Sequence, residues 1–248
     1  MKSIYTQARE VIAWLGVEPN GVAHELGHRS IPDSSLTNLR WCAAVSRLAN
    51  VPYWDRAWVV QELVLARRVF LWFGAGKLEL PIFQKWYEAA KEQAIFESNM
   101  NLDQILARKY GSVQDETSDK LEDMICAFAD TRCKDSRDKV YAFLSLQRPD
   151  GRGELIKPDY NISGFELFFD VVETLDMANA SLGHRSFADI LQMAMDLNPN
   201  QLRHSSQYKK ISRKTGIELL HELPWKRDRA RHKYVVGAEL LDNDDDDL

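Results

Sequence analysis

The chain has 248 residues, is 45% hydrophobic with seven Trp, and carries 32 basic against 37 acidic side chains for a formal net charge of −5. That is enough apolar material for one sizeable core, and it excludes a disordered chain. The mild acidity selects no nucleic-acid partner. Charge is uneven only near the end, where "KKISRKTGIELLHELPWKRDRARHKY" is basic and "DNDDDDL" acidic. Glu218, Glu222 and Asp228 interleave with the bases there, so the stretch reads as a solvated face. Cys42, Cys126 and Cys133 form an odd set without a CxxC spacing, which supports neither a disulfide framework nor a zinc site and fits a reducing compartment.

In chain order, "MKSIYTQARE" has the look of the last turns of a helix; Gln7, Arg9 and Glu10 interrupt any signal-peptide core. No apolar run is long enough for a membrane helix. A soluble, cytoplasmic protein with no membrane partner is expected, and the sequons at Asn161 and Asn179 are then chance matches. "VIAWLG" is a short apolar run ended by Gly16, the form of a strand buried on both faces of a parallel sheet. Residues 17–35 read as a loop. "LTNLRWCAAVSRLAN" follows with helical periodicity through Leu36, Leu39, Cys42, Ala43 and Leu48. After Pro52 comes a further helix in "YWDRAWVVQELVLARR", with Asp55 as its expected N-cap.

"VFLWFG" at 69–74 reads as a second buried strand, closed by a Gly-Ala-Gly turn. Helix, strand, helix, strand is the alternation of a parallel α/β sheet. From "PIFQKWYEAAKEQAIFES" onward the pattern is mainly helical. In "DSRDKVYAFLSL", Asp135 and Asp138 have a weak capping-box spacing, and Val140, Tyr141 and Leu144 form one apolar stripe. "GFELFFDVVETLDMA" is another amphipathic helix.

Within "YWDRAWVVQELVLARR" every residue from Ala57 to Ala66 is apolar except Gln61 and Glu62. Glu62 shares a helix face with Trp58, one turn earlier, so its carboxylate faces protein or a cleft. Burial without a partner costs several kcal/mol, so the residue needs a donor or a functional reason. Two readings stand open: a ligand-holding carboxylate, or a core ion pair with Arg56, Arg40 or Arg137. Gln61 is expected at a solvent or domain edge. Arg137 suits a phosphate or a carboxylate alike.

Four segments, "IYTQAREVIAWLG", "YWDRAWVVQELVLAR", "TRCKDSRDKVYAFLSL" and "KPDYNIS", occur in an order and spacing that resembles the fungal heterokaryon-incompatibility (HET) domain over about the first 165 residues. The family is associated with allorecognition and programmed cell death when unlike fungal cells fuse. Its fold is similar to the Toll-interleukin receptor (TIR) domain, some members of which cleave NAD with a glutamate in a W-V-x-x-E-[I/L]-x-x-A helix. Trp58, Val59, Glu62, Leu63 and Ala66 fill that pattern.

The resemblance therefore implies a TIR-like (flavodoxin-like) parallel sheet with a mainly α-helical C-terminal half. It implies Glu62 as catalytic residue, Trp58 and Arg137 as cofactor-binding residues, NAD as substrate with no cofactor required, and protein partners or self-association. HET domains usually open with strand segments resembling "YxxLSYxWG" and "WIDAxCINQ"; this chain starts after both, so an incomplete sheet, inactive alone and prone to associate along an unpaired edge, is expected. The expected organisation is a partial HET domain over 1–150 and a helical extension over 151–248. The alternatives are a non-enzymatic scaffold and, as a minor one, a zinc metalloprotease. The latter rests on "HELGH", His24 to His28, where Gly27 and the surrounding Gly21, Ser30 and Pro32 disfavour the helix that zinc binding needs; no metal ligand is expected.

Overall fold

The computed structural model describes residues 2–16, 22, 26, 35–93, 96–111, 120–147, 155–175, 181, 182, 185–204, 206, 209, 227, 228, 233 and 234. It is an α/β structure with a small mixed sheet. Helix α1 (Lys2–Gln7) leads into strand β1 (Val11–Trp14); α2 (Ser35–Ala49), a 3-10 turn (Pro52–Asp55) and α3 (Ala57–Leu65) precede strands β2 (Val69–Phe73) and β3 (Gly76–Glu79). Helices α4 (Leu80–Lys91), α5 (Met100–Tyr110), α6 (Leu121–Ala127), the single turn α7 (Asp138–Tyr141), α8 (Gly164–Leu175), α9 (Phe187–Ala194) and α10 (Pro199–His204) complete the well-formed elements.

The expected parallel sheet is only partly so. β1 and β2 run parallel, Val11 opposite Val69 through Trp14 opposite Trp72, but β2 and β3 form an antiparallel hairpin. Sequence reading stopped at the Gly-Ala-Gly turn and missed β3, because "GKLE" carries one apolar residue and no alternation long enough to announce a strand. Gly74 occupies the first loop position with φ 53°, the left-handed conformation that a two-residue hairpin loop needs and that glycine adopts without strain.

The expectation that both strands are buried on both faces also fails. Ala13, Val69, Leu71, Phe73 and Leu78 point into the core, whereas Ile12 and Trp14 of β1 and Trp72 of β2 are exposed. The sheet alternates in burial like an antiparallel sheet covered on one side.

The helices follow the apolar spacing of the sequence. In α4 Leu80, Phe83, Trp86, Tyr87 and Ala90 are buried at intervals of three and four, with Pro81 in the first turn. In α2 the buried face is Trp41, Cys42, Ala44, Val45 and Leu48, rotated from the expected one, since Leu39 is exposed. Trp54 lies parallel to the Phe83 ring at 6.1 Å and donates its indole N–H to the Leu48 carbonyl at 2.7 Å, locking the 3-10 turn between α2 and α4. A single cluster of buried side chains runs from Ala13 to Leu202 and takes in Ile156 and the Leu167, Phe168 and Val171 face of α8, so packing is continuous across residue 150.

Candidate functional site around Glu62

Helix α3 is fixed at both ends by side chains and loops from elsewhere. Asp55 is not its N-cap: Arg56 takes that position in an extended conformation without a side-chain cap. Asp55 is instead buried, accepting from Asn101 Nδ2 at 3.3 Å and lying 3.7 Å from the Arg132 guanidinium. The backbone finishes the join, with the Arg132 N–H on the Asp55 carbonyl and the Ala57 N–H on the Arg132 carbonyl at 3.0 Å. The first free N–H of the helix thus finds its acceptor in the "TRCKDSRDK" segment rather than in a cap.

At the other end Lys109 of α5 donates to the carbonyls of Leu63 and Ala66 at 2.6 and 2.7 Å. Burial holds this ammonium below the ordinary lysine pKa.

Glu62 is half-buried on the helix so held. The Tyr5 hydroxyl of α1 donates to one carboxylate oxygen at 3.4 Å, and the Tyr53 hydroxyl donates to the other at 3.3 Å. Burial first, and the Glu62 charge second, keep both phenols above their ordinary pKa, while the positive charge of Arg56 opposes that shift. Glu62 therefore sits between two neutral donors, with a cation nearby but no ion pair among the described residues. Trp58, one turn earlier on the same helix, is half-buried against the core.

Gln61 is corrected from edge to interior. It is 1% exposed, accepts from the Ser145 hydroxyl at 2.6 Å, and leaves its own Nε2 buried without a partner. Arg137 lies apart from Glu62 in its bonding. Its guanidinium meets both oxygens of Asp135, at 2.9 and 2.6 Å, and donates to the carbonyls of Tyr160 and Ile162 at 2.7 and 2.6 Å. This fork holds Asp135 below the usual carboxylate range. The structure thus brings Trp58 and Glu62 together and assigns Arg137 to a junction between "DSRDK" and "DYNIS".

Tyr5 and Tyr53 are the residues that sequence reading missed. Tyr53 stands nine positions before Glu62, across a 3-10 turn that no helical periodicity could have brought onto the carboxylate, and Tyr5 meets Glu62 only through tertiary packing. A cleft of about 950 Å³ opens elsewhere, between the segment bearing Arg132, Cys133 and Lys134 and the turn from Met195 to Pro199; Trp58, Glu62 and Arg137 do not line it. Cys126 is pushed up to about 12, chiefly by burial, and Cys42 and Cys133 are raised for the same reason, so all three cysteines are held as thiols. His24, Glu25 and His28 lie outside the described residues; among those described, no cluster of three His, Cys, Asp or Glu side chains could hold a metal ion. Nor is any described helix long and apolar enough to cross a membrane.

No family model, no curated protein and no solved structure matches the chain.

Proposed function

We propose that the chain carries a HET-type, TIR-like domain of the fungal self/non-self recognition and cell-death response, with Glu62 as the carboxylate of an NAD-cleaving site. The observation that carries this reading is the setting of Glu62: half-buried, and held by two long hydrogen bonds from neutral hydroxyls rather than by a guanidinium. Such a carboxylate has acceptor positions to spare. A ribose diol offers the same kind of donor as the two phenols and can take their place. In the reaction the bond from ribose C1′ to the nicotinamide nitrogen breaks and its electron pair leaves with nicotinamide; water then adds to C1′ and loses a proton. A fixed negative charge beside the ribose favours the oxocarbenium character that develops between those events. Trp58, on the same face, supplies an aromatic wall. A phosphate-binding role for Arg137 requires it to release Asp135 or its carbonyls.

The test is nicotinamide release from NAD by a purified chain carrying the two HET-type strand segments ahead of Met1, as wild type and as Glu62→Gln, each with a melting curve. The expected outcome is a loss of about a hundredfold or more in rate at an unchanged melt. An active Gln variant removes Glu62 from catalysis, and an unfolded one makes it a structural partner of Tyr5 and Tyr53.

A second reading, a non-enzymatic domain acting by self-association, is favoured by a separate observation: the exposed apolar residues of β1 at the edge of the sheet.

A further inference from the structure

Among the described residues β1 is paired on one side only. The N–H groups of Val11 and Leu15 reach the carbonyls of Arg68 and Trp72 at 2.9 and 2.8 Å, so in this parallel ladder the odd-numbered residues bond to β2 while the N–H and C=O groups of Ile12 and Trp14 turn outward. Their side chains share the face away from the core with Trp72, and the three are 45%, 51% and 40% exposed. The Trp14 and Trp72 rings meet edge-on at 6.2 Å. None of the usual guards of an edge is present in the strand: Val-Ile-Ala-Trp has no lysine, no proline and no inward charge.

We propose that a second copy of this chain pairs with β1, antiparallel, about a two-fold axis through Ala13. The register follows from parity. The outward-facing residues are Ile12 and Trp14, so an axis through Ala13 sets Ile12 of each copy opposite Trp14 of the other. Every outward N–H and C=O within the strand then has a partner. The same register places a β-branched side chain against an indole, a favourable cross-strand pair, and sets Glu10 opposite Gly16, so no like charges meet.

The area fixes how strong the association is. Ile12 and Trp14 together offer on the order of 200 Å² of exposed apolar surface per copy, well short of the roughly 800 Å² per partner of a stable complex. The dimer is therefore transient and concentration-dependent. This inference rests on the self-association reading above and gives it a surface and a geometry.

The experiment is sedimentation velocity of the full chain over a concentration series, for wild type, Ile12→Lys, Trp14→Lys and Trp72→Lys, with amide exchange on the wild type at low and high concentration. The expected result is a monomer–dimer equilibrium weakened at least about tenfold by either β1 lysine, with Trp72→Lys near wild type because β2 is an inner strand. The Ile12 and Trp14 amides gain protection as the dimer forms. A dimer indifferent to both β1 lysines, or without that protection, overturns the pairing and leaves self-association through another surface. Equal loss in Trp72→Lys shows face-to-face packing instead and overturns the register. A monomer at every concentration overturns both the pairing and the reading beneath it.

Discussion

Lys109 shows how a single side chain can hold the helix that bears the candidate site. The last carbonyls of a helix have no donor within it, and here an ammonium reaches two of them from α5. Replacing it with Met keeps most of the aliphatic stem and removes the donor. Lys109→Met is expected to destabilise the protein by about 1–3 kcal/mol, the cost of leaving buried carbonyls unpaired, read as a lower denaturant midpoint at an unchanged slope. Glu62 presents the opposite case, since its donors come from two different elements and neither was legible beforehand. The sequence did mark the carboxylate as anomalous, through a polar pair inside an apolar helix. It could not say which donors answer it, because contact between residues 5 and 62 is set by packing and leaves no periodic trace. Gln61 was misjudged for a related reason: its partner Ser145 is equally remote in the chain, so nothing local distinguished a buried amide from an exposed one.

At the level of elements, legibility follows the strength of the local signal. α8 was expected over "GFELFFDVVETLDMA" and spans Gly164–Leu175, because its apolar stripe is dense and unbroken. Its start is a capping box that the reading of its apolar stripe did not single out. The Ser163 hydroxyl accepts from the Glu166 N–H at 3.2 Å, and the Glu166 carboxylate takes the Ser163 N–H at 2.7 Å. Ser163→Ala should cost about 1 kcal/mol, seen as a shift in denaturant midpoint, and a substitution to Gly distinctly less. An alanine variant as stable as wild type would show the box to be idle. β1 and β2 were placed correctly in sequence but misjudged in environment, and β3 was not foreseen. An apolar run says that a strand exists; whether its second face is covered depends on what lies beyond it, and for Ile12, Trp14 and Trp72 that face is open.

For the whole molecule, tyrosines link stability to alkaline pH. Burial, followed for Tyr5 and Tyr53 by the charge of Glu62, keeps these phenols above their ordinary value; burial does the same for Tyr87 and pushes Tyr110 up to about 12. The folded chain thus retains protons that the unfolded chain has released. Their contribution to stability is fully present below the unfolded tyrosine pKa of about 10 and is lost as pH rises beyond it through the higher folded values. Denaturant melts are expected to be flat with respect to these groups from neutral pH to about 9 and to weaken above that, with a shallower fall in Tyr53→Phe. An identical alkaline slope in that variant would remove Tyr53 from the linkage.

The placement of the tryptophans divides them by what light can report. Trp41, Trp54 and Trp86 are enclosed in the core, Trp41 and Trp86 meeting edge-on at 6.3 Å, whereas Trp14 and Trp72 stand in water on the open face of the sheet. A collisional quencher in solvent reaches the second group and not the first. Among the described residues these five indoles therefore form two spectroscopically separable groups, with half-buried Trp58 between them, one sensing the integrity of the interior and one sensing whatever comes to rest on the edge, without any label being introduced.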